Sequence, residues 1–146
     1  MKIIIEISNA VIAIQHNILL QDVSFTVGEN EFVYLIGKTG SGKTSLLRVL
    51  YGDLPLTEGE AIVCGYQING LKRKLIPYLR RKLGIVFQDY QLLGDRSVND
   101  NLNFVLKATG WKDKKKAKLK IEDVLEKVGL GTKGYKMPHE LSGGEQ

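Results

Sequence analysis

An α/β core carrying an antiparallel β subdomain, followed by a helical subdomain, is the fold class this sequence predicts. Three observations carry it. Short apolar and alternating runs with strand character crowd the chain up to Gln88. From Ser97 onward the apolar residues recur at helical spacing instead. In the first half, Phe32-Val33-Tyr34-Leu35-Ile36 runs through a glycine-rich turn straight into Ser45-Leu46-Leu47-Arg48-Val49-Leu50, the strand–turn–helix of an α/β layer. The boundary falls near residue 90, giving a core over 1–89 and a helical part over 90–146 of one domain.

Taken in order, Lys2 to Ile7 reads as a first strand and residues 9–17 as an irregular connection. Leu19 to Val27 places Leu20, Val23, Phe25 and Val27 among polar neighbours, as a half-buried antiparallel strand does. A turn at Gly28-Glu29-Asn30-Glu31 leads into Phe32–Ile36, apolar enough to be a strand buried on both faces. The helix opened at Gly42 ends near Tyr51-Gly52, with Pro55 beyond. Glu58-Gly59-Glu60 reads as a turn into a strand from Ala61 to Gly65, with Cys64 a small buried hydrophobe in it. Leu71, Leu75, Ile76, Leu79 and Leu83 punctuate a basic helical stretch that Pro77 starts or breaks. A strand over Gly84-Ile85-Val86-Phe87 delivers Gln88. Ser97 is placed to cap a helix over Val98 to Ala108, with Asp100 three residues on in the manner of a capping box. Gly110-Trp111 breaks that helix, and a second runs from about Asp113 to Val128.

The 146 residues suffice for one sizeable core, and no apolar run approaches the ~20 residues a bilayer-spanning helix needs. The N-terminus has no signal-peptide pattern and the single cysteine allows no internal disulfide, so a cytoplasmic protein is expected. The net charge of +5 sits largely in two runs, Lys72 to Lys82 and Lys112 to Lys120, and no nucleic-acid partner is expected from it. The second run reads as a solvated helix face in preference to a lipid-binding patch, because Leu119, Ile121, Val124, Leu125 and Val128 supply a stripe to bury. His139 and Cys64 are too isolated for a metal site.

The glycine-rich turn is Gly37-Lys38-Thr39-Gly40-Ser41-Gly42-Lys43-Thr44. Glycines let the backbone turn tightly with its N–H groups inward and no side chain in the way of a polyanion. The following helix adds its unpaired donors and the positive end of its dipole. Lys43 is placed to reach the β/γ-phosphates of a nucleotide, the Thr44 hydroxyl to ligate Mg²⁺, and Ser45 to help at the α-phosphate. Strand, turn and helix supply the context this P-loop match requires.

At the other end stands Leu141-Ser142-Gly143-Gly144-Glu145-Gln146. Ser142 reads as an N-cap, and Gly143-Gly144 as bare backbone donors at a helix start, a second anion site. With Lys43 in the P-loop and Val86-Phe87-Gln88-Asp89 after a strand, these six residues resemble the signature of the ATP-binding-cassette (ABC) ATPase family over essentially the whole chain. The resemblance implies ATP and Mg²⁺ as cofactors. It implies that Gln88 joins the two subdomains and reaches Mg²⁺ and the attacking water through its amide. It also implies a head-to-tail homodimer, in which Ser142, Gly143, Gly144, Glu145 and Gln146 belong to the surface facing the other subunit's ATP.

Leu79 to Asp89, Leu92-Leu93 and Asp95 to Asn101 are similar to the cell-division (FtsE-type) branch of that family, and Tyr34 to Gly40 and Lys107 to Lys114 to its Bacteroidetes-type versions. That similarity implies an FtsX-like integral membrane partner docking near Asp95 to Val98, and a place on the inner face of the plasma membrane. Lipoprotein-release and small-solute transport ATPases are close alternatives, as is a non-catalytic nucleotide-binding module; a small-molecule kinase leaves Leu141 to Gln146 unexplained. Two departures stand out. Val11-Ile12-Ala13-Ile14-Gln15-His16, where the family stacks adenine on an aromatic ring, contains none. The sequence ends at Gln146, within the expected signature helix, so the fold is expected to be incomplete there. The Walker B Asp, catalytic Glu, D-loop and switch His of the family have no counterpart in it, and poor or absent hydrolysis is expected.

Overall fold

A computed structural model describes residues 2–146. They divide into two compact units, the first ending at Gly84 and the second Ile85–Gln146.

The first unit is built on an antiparallel hairpin of two long strands, β1 (Ile3–Ile14) and β2 (Asn17–Gly28), turning at Gln15-His16. A helix, α1 (Lys43–Leu50), follows the glycine-rich turn. Then come β3 (Glu58–Val63), the two-residue β4 (Tyr66–Gln67), a 3₁₀ turn over Arg73–Leu75 and the short α2 (Ile76–Arg80). The sheet order is β2-β1-β3-β4, antiparallel throughout.

β1 is longer than its sequence suggests, and residues 9–14 are strand where a connection is expected. The cause is a bulge. Ile7 pairs with Phe25 and Ala10 with Val23, so three steps on β1 oppose two on β2. Asn9 takes a left-handed φ of 48°, and its N–H donates to Ser24 Oγ at 2.8 Å. The extra residue shifts the inward positions from odd to even, leaving Ile7, Ala10 and Ile12 all buried. β3 also starts earlier than expected, at Glu58, because Gly59 crosses β1 where that bulge lies. A side chain at Gly59 would run into the Asn9 carbonyl.

The core of this unit joins Ile7, Ala10 and Ile12 of β1, Ala61 and Val63 of β3, Leu46 and Val49 of α1, and Leu79 of α2. Each Ile, Leu or Val side chain among them contributes roughly 1.5–3 kcal/mol when taken out of water. Leu46 and Val49, three apart, are the face by which α1 is fixed to the sheet. Pro77 sits in the first turn of α2, where its missing N–H costs nothing. Cys64 lies in the tight β3–β4 turn, half-buried with φ 49°, and not within a strand.

Two expected strands do not form. Phe32–Ile36 and Ile85-Val86-Phe87 join no ladder among the described residues. Phe32, Tyr34 and Ile36 are about four-fifths exposed and Val86 is 95% exposed. A strand needs a neighbour for its backbone donors and acceptors, and the antiparallel sheet ends at β2 and β4 without reaching either run.

The second unit holds α3 (Val98–Ala108) and α4 (Lys114–Lys127), then a 3₁₀ turn over Pro138–Glu140. Ser97 caps α3 by accepting from the Asp100 N–H at 3.2 Å, and its hydroxyl donates to the Asp100 carboxylate at 2.6 Å. Asp113 caps α4 by accepting from the N–H groups of Lys115 and Lys116. Gly110 and Gly129, both at positive φ, end the two helices. Ala117, Ile121 and Leu125, four apart, form the buried face of α4. Leu119 and Val128 are about two-thirds exposed, so they do not belong to the stripe expected to be buried.

Candidate functional site

The residues expected to carry function lie in three segments: Gly37–Ser45 in the first unit, and Gln88 and Ser142–Gln146 in the second.

The first is a solvent-open loop whose shape is set by two left-handed glycines, Gly40 (φ 83°) and Gly42 (φ 87°). Gly42 is also the residue before α1, and its carbonyl accepts from the Leu46 N–H at 2.9 Å, starting the helix. It backs directly onto β2: a Cβ there would lie 2.7 Å from Leu20 Cγ. At Gly37 a Cβ would lie 2.7 Å from Ser41 Oγ, so a side chain there would turn that hydroxyl aside. At Gly40 nothing lies within 4 Å, which leaves the mouth clear.

Lys43 projects across this loop. Its ammonium donates to the Gly37 carbonyl at 2.8 Å and to the Lys38 carbonyl at 2.7 Å, with Ser41 Oγ at 3.5 Å. The charge is therefore parked inside the turn at the positive end of α1, with no carboxylate among the described residues paired to it. No side chain caps α1, so its first N–H groups stay available. An inward ammonium, two left-handed glycines and an uncapped helix start fit a chain of phosphates. Mg²⁺ fits too: bound with phosphates, it takes one or two protein oxygens and keeps its waters, which suits Thr44 at the exposed start of α1. Among the described residues no cluster of His, Cys, Asp or Glu could hold a metal by itself.

The third segment forms a turn in place of the expected helix. The Ser142 carbonyl accepts from the N–H groups of Glu145 and Gln146, both at 3.0 Å. The Glu145 carboxylate returns to the Ser142 N–H (2.9 Å) and hydroxyl (3.0 Å), which is half of a capping box. Its other oxygen is paired with Lys133. The Lys133 ammonium and the two Ser142 donors hold the Glu145 carboxyl down to about 2. Gly143 and Gly144 are exposed, and a Cβ on Gly143 would lie 3.1 Å from the Tyr90 hydroxyl.

Gln88 is exposed, in a segment followed by two left-handed residues, Tyr90 (φ 56°) and Gln91 (φ 50°). Tyr90 and Lys133 are the residues that sequence reasoning misses. Neither sits at a short motif spacing from Ser142–Gln146, and only folding of the second unit brings them there. His16, exposed in the β1–β2 turn, and the aromatic-free stretch before it complete the first unit's candidates.

Loop, helix and signature-like turn define a class, and comparison with known proteins agrees. Residues 20–146 match the profile of the ABC transporter family, and the chain belongs to that family. It is 39% identical over 127 residues to the cell division ATP-binding protein FtsE of Streptococcus pneumoniae D39, covering 87% of this chain and 55% of that protein. Against FtsE of Escherichia coli K12 the identity is 38%, covering 57% of that protein. Against the methionine import ATP-binding protein MetN of Helicobacter hepaticus it is 35%, covering 36%. The chain thus spans a little over half the length of the FtsE relatives. A solved dimer of the ATP-binding cassette MJ0796, bound to ADP and Pi, superposes with a TM-score of 0.83 at 26% identity, over 97% of this chain and 64% of that one. The α/β ABC-ATPase fold is therefore the fold of this chain. Among the described residues no helix is long and apolar enough to cross a membrane.

Proposed function

We propose that these residues bind ATP with Mg²⁺ as the nucleotide-holding part of an ABC-type ATPase subunit serving cell division. The observation that carries it is the Lys43 ammonium, inside a turn of two left-handed glycines at an uncapped helix start. The two carbonyls that hold Lys43 keep it pointed inward, so a polyphosphate arriving at the loop meets a preset charge. Gly40 lets it approach the backbone, and Thr44 would help to hold Mg²⁺, which neutralises phosphate charge.

A carboxylate is one of the groups that can activate water for hydrolysis. Within Gly37–Ser45 and Leu141–Gln146 the only one is Glu145, and it is engaged by Lys133 and Ser142. These segments are assigned to binding. The exposed Gly143-Gly144 backbone suits it to meet a phosphate held by a second copy, a reading supported by the dimeric state of MJ0796 with ADP and Pi. The FtsE likeness supports an FtsX-like membrane partner near Asp95 to Val98, and with it a place on the inner face of the membrane.

The test is competition by phosphate-chain length. With a fluorescent ATP analogue bound in Mg²⁺, unlabelled ATP and ADP are expected to displace it while AMP is not, and no phosphate is released. Displacement by AMP equal to that by ATP would remove the phosphate loop from the reading.

A further inference from the structure

The start of α4 carries charge where helix physics disfavours it. Lys114, Lys115 and Lys116 occupy its first turn, at the positive end of the dipole, just after Lys112. Acidic residues come later, at Glu122, Asp123 and Glu126. The pairs that do form lie beyond the first turn: Lys118 with Glu122 at 3.9 Å, and Lys120 and Lys127 with Asp123 at 3.3 and 2.9 Å. Among the described residues, Lys112, Lys114, Lys115 and Lys116 have no carboxylate partner. They do not stabilise the helix, and Asp113 has to cap it against them.

Apolar residues stand among these charges. Since Ala117, Ile121 and Leu125 are the buried face, Lys115, Lys116 and Leu119 lie on the opposite one by helical spacing. Leu119 is 65% exposed there, and Trp111, in the break before the helix, is 41% exposed.

We propose that this face, Trp111 and Lys112 with Lys115, Lys116 and Leu119, binds an anionic lipid surface. Unpaired lysines supply attraction to acidic headgroups, which acts near the surface and is screened by salt. Tryptophan and leucine beside them are the residues that settle at the headgroup–acyl boundary. A nucleic acid would satisfy the lysines and could stack on Trp111, but it would leave Leu119 in water; lipid accounts for both. The inference stands apart from the nucleotide site, because none of its residues belongs to that site.

Trp111 is the only tryptophan, so its fluorescence reports on this face alone. The full chain is titrated with vesicles of phosphatidylcholine and with vesicles rich in phosphatidylglycerol. On the anionic vesicles alone, Trp111 emission is expected to shift to the blue and to become shielded from an aqueous quencher. Raising salt to about 1 M, where the Debye length is about 3 Å, reverses the effect. Changing Lys112, Lys115 and Lys116 together to Gln lowers the partition coefficient about a hundred-fold. The same change at Lys72, Arg73 and Lys74 leaves it within about two-fold, those residues lying outside the face. Leu119→Gln weakens binding without altering its salt dependence, and keeps the test decisive if the triple lysine variant does not fold. Unchanged emission on anionic vesicles overturns the proposal. So does equal loss in the Lys72, Arg73 and Lys74 variant, or a stronger response to single-stranded DNA than to lipid.

Discussion

Gly42 and Gly40 share a backbone conformation and differ in surroundings, so alanine at each separates two costs. Both have φ near +85°, and an L-residue held there loses roughly 1–2 kcal/mol. At Gly40 that is the whole cost to the fold, since no atom lies within 4 Å of the new Cβ. At Gly42 the Cβ would stand 2.7 Å from Leu20 Cγ, 3.1 Å from Leu20 Cδ2 and 3.2 Å from the Leu19 carbonyl. Ordinary carbon contacts are about 3.5–4 Å, so Leu20 or the β2 backbone must move by almost an ångström. Leu20 packs against the first unit's core, and forcing such a side chain aside adds roughly 1–3 kcal/mol. Gly42→Ala should thus lose about 2–5 kcal/mol, and Gly40→Ala about 1–2. Urea unfolding read by circular dichroism measures both. ATP binding should fall in both, through a moved helix start at Gly42 and through a methyl group at the loop mouth at Gly40. Equal destabilisation by the two substitutions would refute the packing of Gly42 on β2.

Other outcomes follow from the second unit and the core. Ser97→Ala and Asp113→Ala each remove a helix cap and should cost about 1 kcal/mol, seen as faster amide exchange in the first turns of α3 and α4. The Glu145 carboxyl is held at about 2 against an ordinary 4.5, so its pairing stabilises the fold above pH 4.5 and is lost as pH falls toward 2. An acid titration should therefore show Glu145→Gln losing less stability than the parent across that window. Leu79, fully buried, should cost about 2–5 kcal/mol when cut to Ala, measured by thermal unfolding.

Local chemistry was legible in the sequence. Ser97, Asp113, Gly52, Gly110 and Gly129 act through neighbours a few residues away, and each does at its helix end what its type and position suggest. The geometry of the turn at Gly37 to Thr44 was legible for the same reason, because glycines, lysine and helix start are one contiguous stretch. What was missed depends on distant partners. Residues 9–14 were hidden by the Asn9 bulge, which breaks the alternation that identifies a strand. Phe32–Ile36 and Ile85–Phe87 have strand composition but no neighbour to pair with. Leu119 matched the apolar stripe of α4 by type, yet its angle around the helix puts it in water. Lys133 and Tyr90 meet the signature turn only through the fold of the second unit.

The central claim is that Lys43 and its loop hold the phosphates of ATP. Isothermal titration of ATP with Mg²⁺ into the chain and into Lys43→Ala tests it most directly. The lysine donates to two exposed carbonyls and to the Ser41 hydroxyl, groups that water can satisfy, so the substitution should leave stability within about 1 kcal/mol. Saturable binding by the parent that disappears in a folded Lys43→Ala is the predicted result. Equal affinity in the two proteins would contradict the account, because the nucleotide would then be held somewhere other than this loop.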